Sequence, residues 1–169
     1  MMIYKYEVIM NNLKIYLDTS AIGYLDEITS PKEMEEMSSL WALIKKGEYS
    51  VVISPVVMDE LMANLNISKR DILLSKLKQI EYTISEITDD VHKIAKSVVL
   101  NGVLPDRNYN DCLHIACAIA SRCDCIVSYN FKHLVNISTI KSVRAISNLH
   151  GNGNIDIVPA ITLIQKGVE

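Results

Sequence analysis

The chain has 169 residues and 49% hydrophobic content, which fits one domain over residues 1–169 with a buried core from about residue 13 to about residue 160. That composition excludes disorder for the bulk of the chain. The formal charge of -3 and the isoelectric point near 5.8 exclude a globally basic surface, so any nucleic-acid role must rest on local patches.

Met1-Met2-Ile3-Tyr4-Lys5-Tyr6-Glu7 has no basic stretch followed by a long apolar one, so no signal peptide is expected. No window approaches the roughly 20 apolar residues that span a bilayer. Leu13 to Leu17 predicts a first strand, and Thr19 to about Ile28 a short helix or turn. Ser30-Pro31 is a cap followed by a proline at the first helical position, and Met34, Met37, Leu40, Trp41, Leu43 and Ile44 recur at helical spacing up to Gly47. Tyr49 to Ile53 predicts the second strand. Ser54-Pro55 repeats the cap-and-proline start for a helix carrying Val57, Met58, Leu61 and Leu65, and Ser68 opens another helix to about Ile80.

Tyr82 to Ile87 predicts a short strand, and Thr88 followed by Asp89 and Asp90 suits the positive end of a helix that runs to Asn101-Gly102. After the loop 104–109, residues 110 to 122 predict a helix of small residues able to lie close to a sheet. Cys125 to Ser128 predicts a buried strand, Asn130 the cap of a helix to about Asn148, and Ile155 to Val158 a last strand after Gly151-Asn152-Gly153-Asn154. Strands alternating with helices predict a three-layer α/β/α sandwich on a mainly parallel sheet. Cys112, Cys117, Cys123 and Cys125 form no C-x-x-C pair, so reduced core thiols and a cytoplasmic location are expected.

Three acids stand at the chemically informative points of this pattern. Asp18 follows the first strand, Glu60 lies in the helix after the second, and Asp111 sits in the first turn of the helix before Cys125. Carboxylates placed this way can converge at the carboxyl end of a parallel sheet, where they repel one another unless a cation joins them. That predicts a Mg²⁺ or Mn²⁺ site serving phosphate chemistry. Each acid also admits a structural reading: Asp18 as a helix cap, Glu60 on a solvated helix face, Asp111 as a partner of its helix dipole. His114 shares a helix side with Asp111, as a group orienting a carboxylate or water or as a satisfied core histidine.

The stretches Tyr16-Leu17-Asp18-Thr19-Ser20-Ala21, Ile53-Ser54-Pro55-Val56-Val57-Met58-Asp59-Glu60-Leu61, Asn110-Asp111-Cys112-Leu113-His114-Ile115-Ala116 and Ile126-Val127-Ser128-Tyr129-Asn130-Phe131-Lys132-His133-Leu134 resemble the four blocks of the PIN domain family. The resemblance implies a sheet of about five parallel strands between helices and a metal-dependent ribonuclease, with many relatives being toxins of the VapC type. It implies that Asp18, Glu60 and Asp111 are the catalytic, metal-holding acids, with Thr19 or Ser20 supplying a hydroxyl. Many members carry an aspartate where this chain has Asn130. A neutral amide there offers one weaker oxygen, so one well-occupied Mg²⁺ or Mn²⁺ is expected rather than two. Asn130 could equally orient the attacking water or cap its helix.

Basic residues near these blocks, Arg107, Lys132, His133, Lys141 and Arg144, are candidates for an RNA-binding rim or for ordinary solvated surface. The resemblance also implies a small antitoxin partner and a homodimer, with Met34, Met37 and Trp41 or Leu73, Leu74 and Leu77 as candidate interface stripes or core. Two other readings differ in class. One is a PIN-like binding module without useful nuclease activity. The other, an aspartyl-nucleophile phosphohydrolase, needs a second aspartate two residues after the first, where Asp18-Thr19-Ser20 has a serine.

Overall fold

The computed structural model describes residues 12–164; the reading of Met1 to Glu7 lies outside them. Five parallel strands, β1 Lys14–Leu17, β2 Ser50–Ile53, β3 Thr83–Ile84, β4 Cys125–Val127 and β5 Asp156–Val158, form one sheet in the order β3-β2-β1-β4-β5. The middle strand explains the sequence pattern. Ile15 pairs with Val51 on one side and Cys125 on the other, and Ile15, Tyr16 and Leu17 are fully buried. A strand paired on both edges and covered on both faces is an uninterrupted apolar run.

The sheet lies between helices α1 Thr19–Gly23, α2 Pro31–Lys45, α3 Pro55–Met62, α4 Ile67–Leu77, α5 Asp89–Leu100, α6 Tyr109–Ala120, α7 Ile137–Leu149 and α8 Ile161–Ile164. The chain moves outward from β1 through β2 to β3, then crosses back to β4 and on to β5. Right-handed crossovers therefore put the helices before β3 on one face and α5, α6 and α7 on the other. The contacts agree: α5 packs on α6 and α7, while α2 packs on α8. In α6 every residue from Cys112 to Ile119 is buried, the close approach that its small side chains permit. All four cysteines are buried, and burial raises the thiol pKa of Cys112 to about 11 and of Cys123 to about 12, so neither is a reactive thiolate.

Several boundaries differ from those expected. The strand expected over 82–87 is only Thr83–Ile84, because its partner β2 ends at Ile53 and Ser85 takes the last available carbonyl there (2.8 Å). Beyond it Pro55 starts α3 and offers no N–H. Helix α3 stops at Met62, leaving Leu65 exposed. Helix α4 starts one residue before Ser68, with Asn66 accepting from Lys69 N at 3.0 Å. Asn130 does not cap α7. Its backbone oxygen accepts from the N–H of Leu134 and Val135 in a tight turn, and Asn136, accepting from Thr139 N at 2.9 Å, caps the helix instead. The suggested interface stripes are mostly core: Met37, Trp41, Leu73 and Leu77 are buried. Among the described residues no helix is long and apolar enough to cross a membrane.

Candidate active site

In a parallel sheet all carboxyl ends lie on one side, and here the reversal of strand order falls between β1 and β4. Asp18 leaves β1 at that point and caps α1 through Ala21 N (2.9 Å). The cap reading and the site reading are therefore one geometry. Its Oδ1 also accepts from Ser20 Oγ (2.7 Å), and its Oδ2 from Ser128 Oγ (2.6 Å), which stands just past β4. Asp18 is 3% exposed, and no lysine or arginine pairs with it among the described residues. Burial pushes its carboxyl above the usual range, against the opposing pull of nearby His114 and of the donors Ser128, Ala21 and Ser20.

Glu60 reaches the same edge from the second turn of α3. Its Oε2 accepts from Thr19 Oγ1 and from His114 Nε2 (3.1 Å), and its Oε1 from Asn110 Nδ2 (3.2 Å). Partial burial opposes its charge, yet His114, Thr19 and Asn110 together hold its carboxyl below the usual value. His114 is buried, with Nδ1 2.8 Å from the Tyr16 hydroxyl, which lies 2.6 Å from Ser54 Oγ. An ionised Glu60 can only accept, so Nε2 carries the proton and Nδ1 accepts from Tyr16. Burial raises the Tyr16 phenol well above its ordinary value, so it remains a donor. Ser54 then donates to Tyr16, and every member of the chain finds a partner.

Asp111, in the first turn of α6, is held from loops rather than from strand ends. Its Oδ1 accepts from Asn130 Nδ2 (3.2 Å) and its Oδ2 from His133 Nδ1 (2.8 Å), with Asn108 Nδ2 3.5 Å away. The amide of Asn130 is thus turned with its nitrogen toward Asp111, while its oxygen accepts from His133 N at 3.1 Å. That oxygen serves the turn with one of its two lone pairs. His133 is no outlying rim residue but bonds an acid directly.

The structure therefore joins Asp18, Thr19, Ser20, Glu60, Asp111, His114, Asn130 and His133 through hydrogen bonds and one chain step. Arg107 and Lys132 are exposed and unpaired among the described residues, as is Lys141, whereas Arg144 pairs with Asp156 of β5 (Nε to Oδ1, 2.8 Å). Sequence reasoning missed Ser128, Tyr16, Ser54, Asn108 and Asn110. Only Ser128 carries a signal of its kind, occupying after β4 the position Asp18 occupies after β1. A cleft of about 710 Å³ lies at the amino ends of β2 and β3, beside Gly47, Tyr49, Ser50 and Thr83, and holds none of Asp18, Glu60 and Asp111.

Among the described residues no three His, Cys, Asp or Glu side chains form a ready metal cage. The donor set nevertheless suits a hard cation. It offers carboxylate and hydroxyl oxygens, and among the described residues no lysine or arginine pairs with the buried Asp18. Mg²⁺ keeps most of its waters and needs only one or two carboxylates, so a hydrated ion fits where a closed cage does not.

The family described as PIN domain matches residues 14–132, a span that holds all three acids and Asn130. Among solved structures, the VapBC2 complex of Rickettsia felis bound to a DNA fragment from its promoter is similar in fold, with a TM-score of 0.54 over 86% of this chain and 98% of that chain, at 15% identity. No curated protein matches the sequence.

Proposed function

This chain belongs to the PIN domain family, and we propose that it is a Mg²⁺- or Mn²⁺-dependent endoribonuclease, the toxin of a type II toxin–antitoxin pair. The observation that carries this reading is the buried Asp18 carboxylate at the sheet's carboxyl edge, paired with no lysine or arginine among the described residues and tied through Thr19 to Glu60 and through Ser128 and Asn130 to Asp111.

Asp18 and Asp111 would hold the ion, with Glu60 beside it. A divalent cation bound there would lower the pKa of a water and offset charge on the phosphoryl oxygens. Glu60, held below its ordinary pKa, stays ionised at neutral pH and is a poor proton store, so it serves to hold and orient a water. His114 and Thr19 fix its carboxylate, and Ser20 and Ser128 fix that of Asp18. Asn130 donates to Asp111 where a fourth carboxylate would repel it, which favours one ion over two.

The substrate is RNA. An antitoxin partner is proposed because the similar solved structure is a VapBC2 complex. A homodimer, a cytoplasmic location and a single domain over the whole chain belong to the same proposal; light scattering that gives a monomer mass at micromolar concentration would count against the dimer.

The test is cleavage of single-stranded and structured RNA by purified protein with Mg²⁺, with Mn²⁺ and with excess chelator. Cleavage that needs the metal and is lost in Asp18→Asn supports the nuclease. A second reading, a PIN-fold binding module, draws on the absence of a three-ligand cage among the described residues. RNA binding with no cleavage under any metal would establish it instead.

A further inference from the structure

Phe131 is the one phenylalanine of the chain, and it stands 55% exposed on the turn that follows Asn130, while the core is built largely from aliphatic residues. Its position is tightly held. On the turn's amino side, the Tyr129 hydroxyl donates to Glu36 Oε2 (3.0 Å), and Tyr129 packs against Tyr24 with ring centroids 4.6 Å apart. Phe131 meets Tyr129 edge-on at 6.1 Å and 75°, and its N–H donates to the Tyr129 carbonyl (3.0 Å). On the far side, the N–H groups of Leu134 and Val135 bond back to Asn130, and the carbonyl of His133 accepts from Thr139 Oγ1 at 2.9 Å.

An aromatic ring fixed by its neighbours and left in water is a platform awaiting a partner. Its surroundings indicate what that partner is. Asn130 and His133, on either side of Phe131 and Lys132, both bond Asp111, so the ring belongs to the rim of the acid cluster. A second loop meets this turn where Asn108 Nδ2 lies 3.2 Å from His133 Nδ1, and Arg107 precedes that asparagine. Arg107 and Lys132 are both exposed and unpaired among the described residues. An exposed ring next in the chain to one unpaired cation, on a turn bonded to the loop that carries another, at the mouth of a phosphate-chemistry site, has the composition of a single-strand nucleic-acid groove: cations for the backbone, an aromatic face for a base.

We propose that Phe131 is a base-stacking residue that receives the nucleobase next to the scissile phosphodiester of single-stranded RNA, with Lys132 and Arg107 holding the adjoining backbone. The inference rests on the nuclease reading for its substrate. Stacking tolerates any base, so Phe131 would position the strand with little sequence preference. Its loss would weaken substrate binding and leave the acids undisturbed.

Two measurements test it. The first is steady-state cleavage: Phe131→Ala raises KM about tenfold with kcat nearly unchanged, Phe131→Tyr and Phe131→Trp restore the wild-type value, and Phe131→Leu does not. The second needs no cleavage. In chelator, Phe131→Trp is titrated with short oligouridylate, with oligoadenylate and with the same strands bearing one abasic site moved along the length. The expected result is tryptophan quenching by the intact strands and its loss at one abasic position. An unchanged KM in Phe131→Ala, or quenching indifferent to every abasic site, overturns the stacking role and leaves the ring to a protein partner. If the wild-type protein cleaves no RNA, the nuclease reading fails while the titration still judges Phe131.

Discussion

The acids of this site are held in two unlike ways. Asp18 is buried and Glu60 partly exposed, and their partners are mostly hydroxyls and an imidazole fixed in or beside the central strands: Ser20, Ser128, Thr19 and His114, the last braced by Tyr16 and Ser54. Asp111 is held from two loops at the mouth by Asn130, His133 and Asn108, and its side chain is less exposed than that of Glu60. Donors rooted in the core cannot move without disturbing the fold, whereas loop donors can. The pair with core-rooted donors therefore supplies a fixed reference, and the mouth supplies the adjustable side.

The largest expected effect comes from the deep acid. Asp18→Asn should lower cleavage by about 10²- to 10³-fold, the scale for losing one preorganised charge-stabilising group. In chelator the same variant should be more stable than the parent by about 1–2 kcal/mol in urea unfolding, since it removes an uncompensated buried charge. The sign follows from linkage. With its pKa raised in the fold, Asp18 contributes stability that is complete below its ordinary value of 3.8 and is lost as pH rises through the folded value. Asn should thus flatten the decline above that point, and an unchanged stability–pH curve would show that Asp18 is not the strained charge.

His114→Ala should cost about 2 kcal/mol, because it strips Glu60 of one donor and Tyr16 of its acceptor inside the core. Here the sign is opposite. Glu60 is depressed in the fold, so its stabilisation is present above its ordinary value of 4.5 and disappears as pH falls through the folded value. Acid unfolding of His114→Ala should begin at a higher pH than that of the parent; identical acid limbs would break the link between His114 and Glu60.

Asn130→Asp probes the mouth. It replaces a donor to Asp111 by a second negative charge, so the metal-free protein should lose about 1 kcal/mol and calorimetric titration should detect additional Mn²⁺ uptake. Equal stoichiometry in both proteins would remove Asn130 from any part in setting the number of ions. The smallest effect is expected for His133→Ala: about 0.5 kcal/mol or less in stability, with cleavage reduced several-fold, because its imidazole is half-exposed and its turn keeps other bonds. A loss as large as that of His114→Ala would erase the distinction between the two sides.

What the sequence revealed follows the same division. The strands β1, β2 and β4 were legible because central parallel strands are unbroken apolar runs, and Pro31 and Pro55 marked two helix starts correctly. The acids were legible as candidates because each stands at a strand end or in the early turns of a helix. Their donors were not, since Ser128 reaches Asp18 across 110 residues and Tyr16 reads as plain core. The misplaced start of α7 has a local cause. Asn130 and Asn136 are equally good caps by composition, and only the hydrogen bonds to Asp111 and His133 commit the first to a turn.

Tyr16 lies in the middle of the central strand, and its hydroxyl is the hinge between Ser54 and His114. The Asp18 amide cannot open without parting β1 from its neighbours, so hydrogen exchange there, where it is bonded to the Val127 carbonyl at 3.3 Å, should proceed only through global unfolding. The backbone that places Asp18 thus lives as long as the folded chain does, and a partner can silence this protein without unfolding it only by covering the acids from outside.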